Sequence, residues 1–450
     1  MAGDGFYLVS LGCAKNTVDS HSMAELLTGD GYVHAEAQED AVLLIVNTCG
    51  FIGPAKAESV QVLREMAASK RPDQLLIAAG CLTQRYGEAV AEEVPGIDGI
   101  LGTRRWMDVL SLVRELRASP HPEPVYHLPD ARTVGRDEGG VARAAVQGAS
   151  AYLKIADGCR RACAFCAIPL IKGTLVSRPA ERVFAEARRL AEHGVRELVL
   201  IAQDSTDYGR DLGMRDGLPA LLEGLVEAVP DVDWIRILYA FPGHVTERLI
   251  DVMAAHPQIL PYLDMPLQHA HPDTLRRMRR PANMDWVYRT IGAMRERMPN
   301  LAMRSTFIVG YPGETEAEFQ ALMDFIHEMR FDRLGAFTYF TEEGTAAGEL
   351  EDNVPVEVKG ERKERLMAAQ QGISLQKNQE LVGGELKVLI EGHGDGLSVG
   401  RSYRDAPEID GLVFVEGEVP VGEMVSVGIT GAMVYDLTGV ASVEASELAH

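Results

Sequence analysis

The sequence predicts an α/β protein in three parts: an N-terminal doubly wound parallel sheet, a central partial (β/α)6 TIM-like barrel, and a small C-terminal antiparallel β-barrel. Three observations carry this. Apolar runs of strand length alternate with stretches of helical period over residues 1–118 and again over 149–378, the pattern of parallel sheets covered by helices. Between those blocks, residues 119–148 hold three prolines at 120–124 and a glycine-rich polar stretch, which reads as a linker. Beyond residue 379 the helical period stops and short β-branched segments separated by glycines take over. A chain of 450 residues also exceeds what one ordinary core accommodates.

In the first part, strands are expected at 6–11, 41–47 and 74–79, with a weaker fourth at 98–101. Helices are expected at 19–27, 56–68, 86–93 and 107–117. In the second part, strand candidates are 152–155, 197–202, 234–239, 262–265, 303–309 and 335–340. The helical stretches between them are 180–193, 218–229, 246–255, 285–298 and 316–329. Six such units make a partial barrel whose active site lies at the carboxyl ends of its strands. A polar helix over 356–380 leads to the tail, with strands expected at 385–391, 411–415 and 424–430 of a domain spanning 379–446.

Lys and Arg total 44 against 66 Asp and Glu, a net charge of −22. So acidic a chain repels phosphate backbones and suits a basic partner. No apolar run reaches membrane-spanning length, and the first residues carry no basic leader, so no membrane association and a cytoplasmic location are expected. Six cysteines in a large cytosolic chain point to metal or catalysis before disulfides.

The cysteines divide three and three. Cys159-Arg-Arg-Ala-Cys163-Ala-Phe-Cys166 follows the first barrel strand, and a loop of this spacing can wrap a cuboidal cluster with one thiolate per iron. The fourth iron is then free to chelate the amino and carboxylate groups of S-adenosylmethionine. A zinc knuckle is the competing reading. Structural zinc usually takes four protein ligands, however, and the loop contains no histidine. Cys13, Cys49 and Cys81 lie far apart in sequence, but each follows an expected strand. The carboxyl ends of neighbouring parallel strands converge on one crevice, so the three fit a second cluster with an open iron. The alternative is three unrelated buried cysteines. Gly12, Gly50 and Gly80 beside them allow tight turns around a bulky group. Asn47 and Thr48 either face that group or cap the next helix.

Phe165 can pack on cluster or cofactor. Gln203 and Asp204 end the second barrel strand and can hold the cofactor's ammonium, while Arg178 is a candidate for its carboxylate. Gly310 and Gly313, in Phe307-Ile-Val-Gly-Tyr-Pro-Gly-Glu314, suit backbone contact with adenine or ribose; Gly313 and Glu314 could equally serve a turn or a helix cap. The run Arg276-Arg-Met-Arg-Arg280 reads as a solvated helix face, and no histidine pairs at metal-ligand spacing.

On these motifs the sequence resembles the radical methylthiotransferases. The resemblance spans nearly the whole chain and includes Ser10-Leu-Gly-Cys-Ala-Lys-Asn16, Val18-Asp-Ser20, Val46-Asn-Thr-Cys-Gly-Phe-Ile52, Gly80-Cys-Leu-Thr-Gln-Arg-Tyr86, Tyr152-Leu-Lys-Ile-Ala-Asp-Gly-Cys159 and Pro266-Leu-Gln-His269. His21 departs from the family's usual glutamate. The resemblance implies a methylthiotransferase domain over 1–118, a radical S-adenosylmethionine domain over 149–378 and a TRAM domain over 379–446. It implies two 4Fe-4S clusters, at Cys13, Cys49 and Cys81 and at Cys159, Cys163 and Cys166, together with S-adenosylmethionine and a low-potential electron donor. One S-adenosylmethionine would methylate sulfur and another would yield the 5′-deoxyadenosyl radical, so that methylthio replaces hydrogen on an unactivated carbon.

One branch of the family modifies adenosine in tRNA, and the other an aspartate β-carbon in small-subunit ribosomal protein S-12. Lys15-Asn16, Leu175-Val-Ser-Arg178, Gln203-Asp204 and Ala406-Pro-Glu-Ile-Asp-Gly411 resemble the second branch. Charge agrees. From residue 380 to the end only Lys387, Arg401 and Arg404 are basic, against thirteen acidic residues, so direct tRNA binding is not expected of this tail. The rival readings are a tRNA methylthiotransferase and a non-catalytic metal- or RNA-binding protein.

Overall fold

The computed structural model describes residues 4–118, 122–136 and 139–442. Parts of the expected linker (119–121, 137–138) and the end of the expected tail domain (443–446) lie outside the described residues.

The first sheet holds β1 (Gly5–Ser10), β2 (Val33–His34), β3 (Leu43–Thr48), β4 (Leu75–Gly80), β5 (Gly99–Gly102) and β6 (Val125–His127). Its order is β2-β1-β3-β4-β5-β6, with every pair parallel. β3 is buried along its whole length, as an apolar run flanked by helices on both faces must be. Two separate apolar clusters, one around Leu43 and Trp106 and one around Leu44 and Leu63, occupy the two faces.

The second sheet holds β7 (Ala144–Gln147), β8 (Ser150–Lys154), β11 (Glu197–Ile201), β12 (Trp234–Ile237), β13 (Ile259–Asp264), β14 (Ala302–Val309) and β15 (Arg333–Thr338). β8 and β11 through β15 are parallel neighbours and form the six-unit partial barrel. A short pair, β9 (Ala156–Asp157) and β10 (Val176–Ser177), flanks the first cysteine loop.

The stretch read as a linker is not structureless. It gives β6 to the first sheet and β7, antiparallel to β8, to the second. Both strands are only three or four residues long, and the prolines and glycines around them conceal their apolar pattern.

The tail strands β16 (Glu385–Gly394), β17 (Leu397–Ser402), β18 (Val413–Glu416), β19 (Met424–Ala432) and β20 (Leu437–Ala441) close into a barrel. An antiparallel barrel is expected from the sequence, but one of its pairs is parallel. β18 and β20 pair in parallel because the chain crosses between them by way of β19.

Buried charges lock the three parts together. Asp19, on the helix Ala14–Gly29, meets Lys154, Lys172 and Arg143, and Asp157 meets the same three cations. Glu197 on β11 joins Arg236 of β12 to Arg401 of β17, with all three side chains buried. The loop after β17 plugs the open barrel. Tyr152 donates to Glu408, Tyr262 to Asp410, and Arg333 pairs with Asp405. Among the described residues no helix is long and apolar enough to cross a membrane.

Candidate active site

All six cysteines open onto one cavity of about 440 Å³ between the first sheet and the barrel mouth. Cys13 immediately precedes the helix Ala14–Gly29, Cys49 follows β3, and Cys81 opens the helix after β4, so three adjacent parallel strands deliver the first trio. Backbone geometry packs these turns tightly. Gly12 has φ +95°, and a Cβ there would lie 2.8 Å from Cys49 Cβ. Gly80 has φ +108°, and its Cβ would lie 2.4 Å from Asn47 Oδ1 and 2.5 Å from the Thr48 carbonyl. We therefore expect Gly80→Ala to cost roughly 2–3 kcal/mol in urea denaturation, through strain and clash together. A variant as stable as the parent would show that this turn is not tight.

Asn47 and Thr48 do not face the cavity. Asn47 Nδ2 donates to the Asn16 carbonyl and Ser20 Oγ, and Thr48 Oγ1 donates to the Ala79 carbonyl. They tie the strand-end loops together. Asn16 is the polar residue that does line the cavity: Cys81 Sγ lies 3.5 Å from its Oδ1, and its Nδ2 donates to the carbonyls of Leu11 and Thr48.

The second trio sits on the loop after β9, anchored by the Cys159 N–H to the Gly173 carbonyl and the Ala164 N–H to the Met278 carbonyl. Arg280 NH1 lies 3.6 Å from Cys163 Sγ, and its NH2 donates to the Pro266 carbonyl. The end of the basic run is thus buried at the site and is not a solvated face. Three thiols on one loop, and three more from neighbouring strand ends, match the donor set of cuboidal clusters with one thiolate per iron.

Burial sets the thiol chemistry. It pushes Cys81 and Cys166 up to about 12 and Cys159 up to about 11, with the neighbouring thiols adding to the rise. Cys49 is raised in the same way. For Cys13 burial also acts upward, but Lys15, the Asn16 N–H and Lys172 outweigh it and hold the thiol below its ordinary value. Metal loading must therefore displace protons from most of these sulfurs.

The other expected site residues divide. Phe165, Gln203 and Asp204 line the cavity. Gln203 Oε1 is buried without a partner, an acceptor that fits an incoming ammonium. Asp204 is already engaged, accepting from Arg161 Nε at 2.7 Å and from Thr206 Oγ1. Arg178 lies outside the cavity. It donates to the Lys154 carbonyl and pairs with Glu186, lining a different hollow beside Trp106 and Arg182. Gly310 and Gly313 are also outside its wall. Gly310 packs on Lys359, and the Gly313 N–H donates to Asn353. His21 is exposed and does not line the cavity.

Residues absent from the sequence-based candidates also reach the cavity: Arg161 between the cysteines, Lys172, Tyr239 and Phe241 after β12, Arg304 on β14, and Ile409 from the tail loop. Arg161 and Arg280 both stack against Phe241, with guanidinium carbons 4.4 and 4.2 Å from its ring centre.

This layout matches three family models in order. Residues 5–102 match the uncharacterized protein family UPF0004, residues 153–326 the Radical SAM superfamily, and residues 382–441 the TRAM domain. The chain is a radical S-adenosylmethionine enzyme with an added thiol-bearing sheet and a terminal β-barrel. A ribosomal protein uS12 methylthiotransferase RimO from Chloroflexus aurantiacus is 51% identical over 96% of this chain and 99% of its own length. The protein of that name from Roseiflexus sp. (strain RS-1) is 47% identical over 96% of each. The chain belongs to this methylthiotransferase family. The radical S-adenosylmethionine methyltransferase TsrM from Kitasatospora setae shares the fold, with a TM-score of 0.57 at 15% identity over 77% of this chain and 74% of that one.

Proposed function

We propose that this chain inserts a methylthio group at the β-carbon of an aspartate in ribosomal protein uS12, the S-12 protein of the small subunit. The observation that carries the reading is the single cavity onto which both cysteine trios open. When bound there, two 4Fe-4S clusters and S-adenosylmethionine, with a low-potential reductant, would supply the carbon radical and the methylthio group.

The chain's own residues hold, orient and exclude. Cys159, Cys163 and Cys166 would hold the radical-forming cluster, and Cys13, Cys49 and Cys81 the sulfur-delivering one. Gln203 Oε1 supplies an acceptor for the cofactor's ammonium, and Phe165 and Phe241 give the cavity apolar walls. With Arg178 turned away, Arg280 beside Cys163 is the better placed cation for the cofactor's carboxylate. Ile409 adds an apolar side chain to the cavity wall and is still open to water, so the bound substrate would complete the exclusion of water that a reactive radical requires.

A protein substrate is supported by charge. Of the tail's three cations, Arg401 and Arg404 are consumed in buried ion pairs with Glu197 and Asp332, leaving only Lys387 exposed. That face is acidic and suits a basic ribosomal protein better than a phosphate backbone. A ribosomal substrate also supports a cytoplasmic location. The deciding experiment incubates anaerobically reconstituted enzyme with uS12 and, separately, with tRNA. We expect a mass gain of one methylthio group on uS12. Modified tRNA beside unchanged uS12 would overturn the reading.

A further inference from the structure

Five cations among the described residues reach the cavity wall, and their partners decide what each is free to do. Arg161 is neutralised by Asp204 and Asp207, Lys172 by Asp19 and Asp157, and Arg304 by Asp264 and Asp410. Arg280 is committed to Cys163 Sγ and the Pro266 carbonyl, on the radical side of the cavity. Lys15, like Arg280, has no carboxylate partner among the described residues, but it lies on the side of the first trio: its Nζ sits 3.2 Å from the ring centre of Tyr239. No carboxylate of the described residues lies within ion-pair distance of it, and Asp264, the acid that faces it, is held by Arg304 and the Tyr239 N–H. Tyr239 lies two residues past the end of β12, at φ +64°. An ammonium has three donors, and a ring with one hydroxyl satisfies few of them.

We propose that Lys15 binds the side-chain carboxylate of the substrate aspartate, an inference that rests on the function proposed above. That carboxylate is bonded directly to the carbon that receives sulfur. It must therefore enter the cavity beside Cys13, two residues from Lys15, and leave water in doing so. A buried carboxylate without a cation is strongly disfavoured. Lys15 is placed to supply that cation and to reject uncharged side chains.

The test compares uS12 peptides bearing aspartate or asparagine at the target position, using enzyme with its clusters loaded. Wild-type failure on the aspartate peptide would remove the proposed function itself. Given wild-type turnover, Lys15→Met lowers the aspartate-over-asparagine ratio of kcat/KM by roughly 100-fold, mostly through KM. Iron content at the parent level certifies that the variant folds and loads. Lys15→Gln, which keeps a polar side chain of similar length, gives the same collapse, and Lys15→Arg restores part of the preference. Neutral variants that keep the full aspartate preference overturn the inference. So does an equal loss on both peptides accompanied by a shifted cluster reduction potential, which would make Lys15 a cluster-tuning residue instead.

Discussion

Replacing Cys163 with serine stops both 5′-deoxyadenosine formation and methylthiolation, whereas Cys49→Ser stops methylthiolation and leaves S-adenosylmethionine cleavage measurable. The two trios arise from different elements: three strand ends of the first sheet, and one loop of the barrel. No cysteine is shared between them, so each substitution removes one iron anchor from one trio only. A serine hydroxyl is far harder to deprotonate than a thiol and is a poor ligand for iron–sulfur chemistry, so no substitute anchor appears. We expect losses of roughly 1,000-fold or more in the affected reaction, and iron falling from about eight per chain toward about four. Chromatographic assay of 5′-deoxyadenosine, mass spectrometry of uS12 and iron determination read the three quantities separately. Normal methylthiolation by Cys49→Ser would show that the first trio is structural.

That division was legible in the sequence for a physical reason. Parallel strands end at one edge of their sheet, so a cysteine just past each of three neighbouring strands must arrive at one place. Gln203 and Asp204 were legible by the same logic. Arg178 lies off the cavity because a strand-end motif gives position without side-chain direction, and Glu186, nearly two turns into the following helix, pairs with the guanidinium. Arg280 was concealed in a run of like charges whose members divide among different partners: Arg277 pairs with the buried Glu318, and Arg280 turns inward to Cys163. Ile409 and the loop around it were quoted only as a motif. Their seat in the barrel mouth depends on contacts to Tyr152, Tyr262 and Arg304, which lie far away in sequence and leave no local trace. The parallel pairing of β18 with β20 was hidden in the same way, since strand spacing reports lengths and not partners. The acidity of the tail proved more informative than its count suggested, because burial removes two of its three cations from the surface.

The same burial makes Glu197→Gln the substitution with the largest expected effect on stability. Glu197 accepts from Arg236 Nε at 2.7 Å and from Arg401 NH2 at 2.6 Å, with Ser150 donating to it as well. A neutral amide in its place leaves Arg236 buried without a counter-charge and Arg401 with Glu391 as its one remaining carboxylate. Removing one member of a buried ion network costs about 3–5 kcal/mol. The acid's own titration supports the size. Burial pushes Glu197 upward, but Arg401 and Arg236 outweigh it and hold the carboxyl at about 2, against an ordinary 4.5. A depressed carboxyl stabilises the fold fully above its unfolded value, and that stabilisation is lost as pH falls through the folded value. The wild type therefore loses about 3 kcal/mol between roughly pH 4.5 and pH 2, and the Gln variant lacks this component of the loss. Urea denaturation across that range measures both slopes, and parallel curves would refute the assignment. Replacing all three side chains by apolar residues of similar volume should recover much of the stability, because it is the unpaired charge that is costly. The functional consequence follows from the position of the pair. Arg401 lies one residue before the end of the strand that leads into the plugging loop, so loosening it is expected to shift Ile409 on the cavity wall that both cysteine trios share. Uncoupled cleavage of S-adenosylmethionine should then rise in the Gln variant, relative to methylthiolated product, before the protein unfolds.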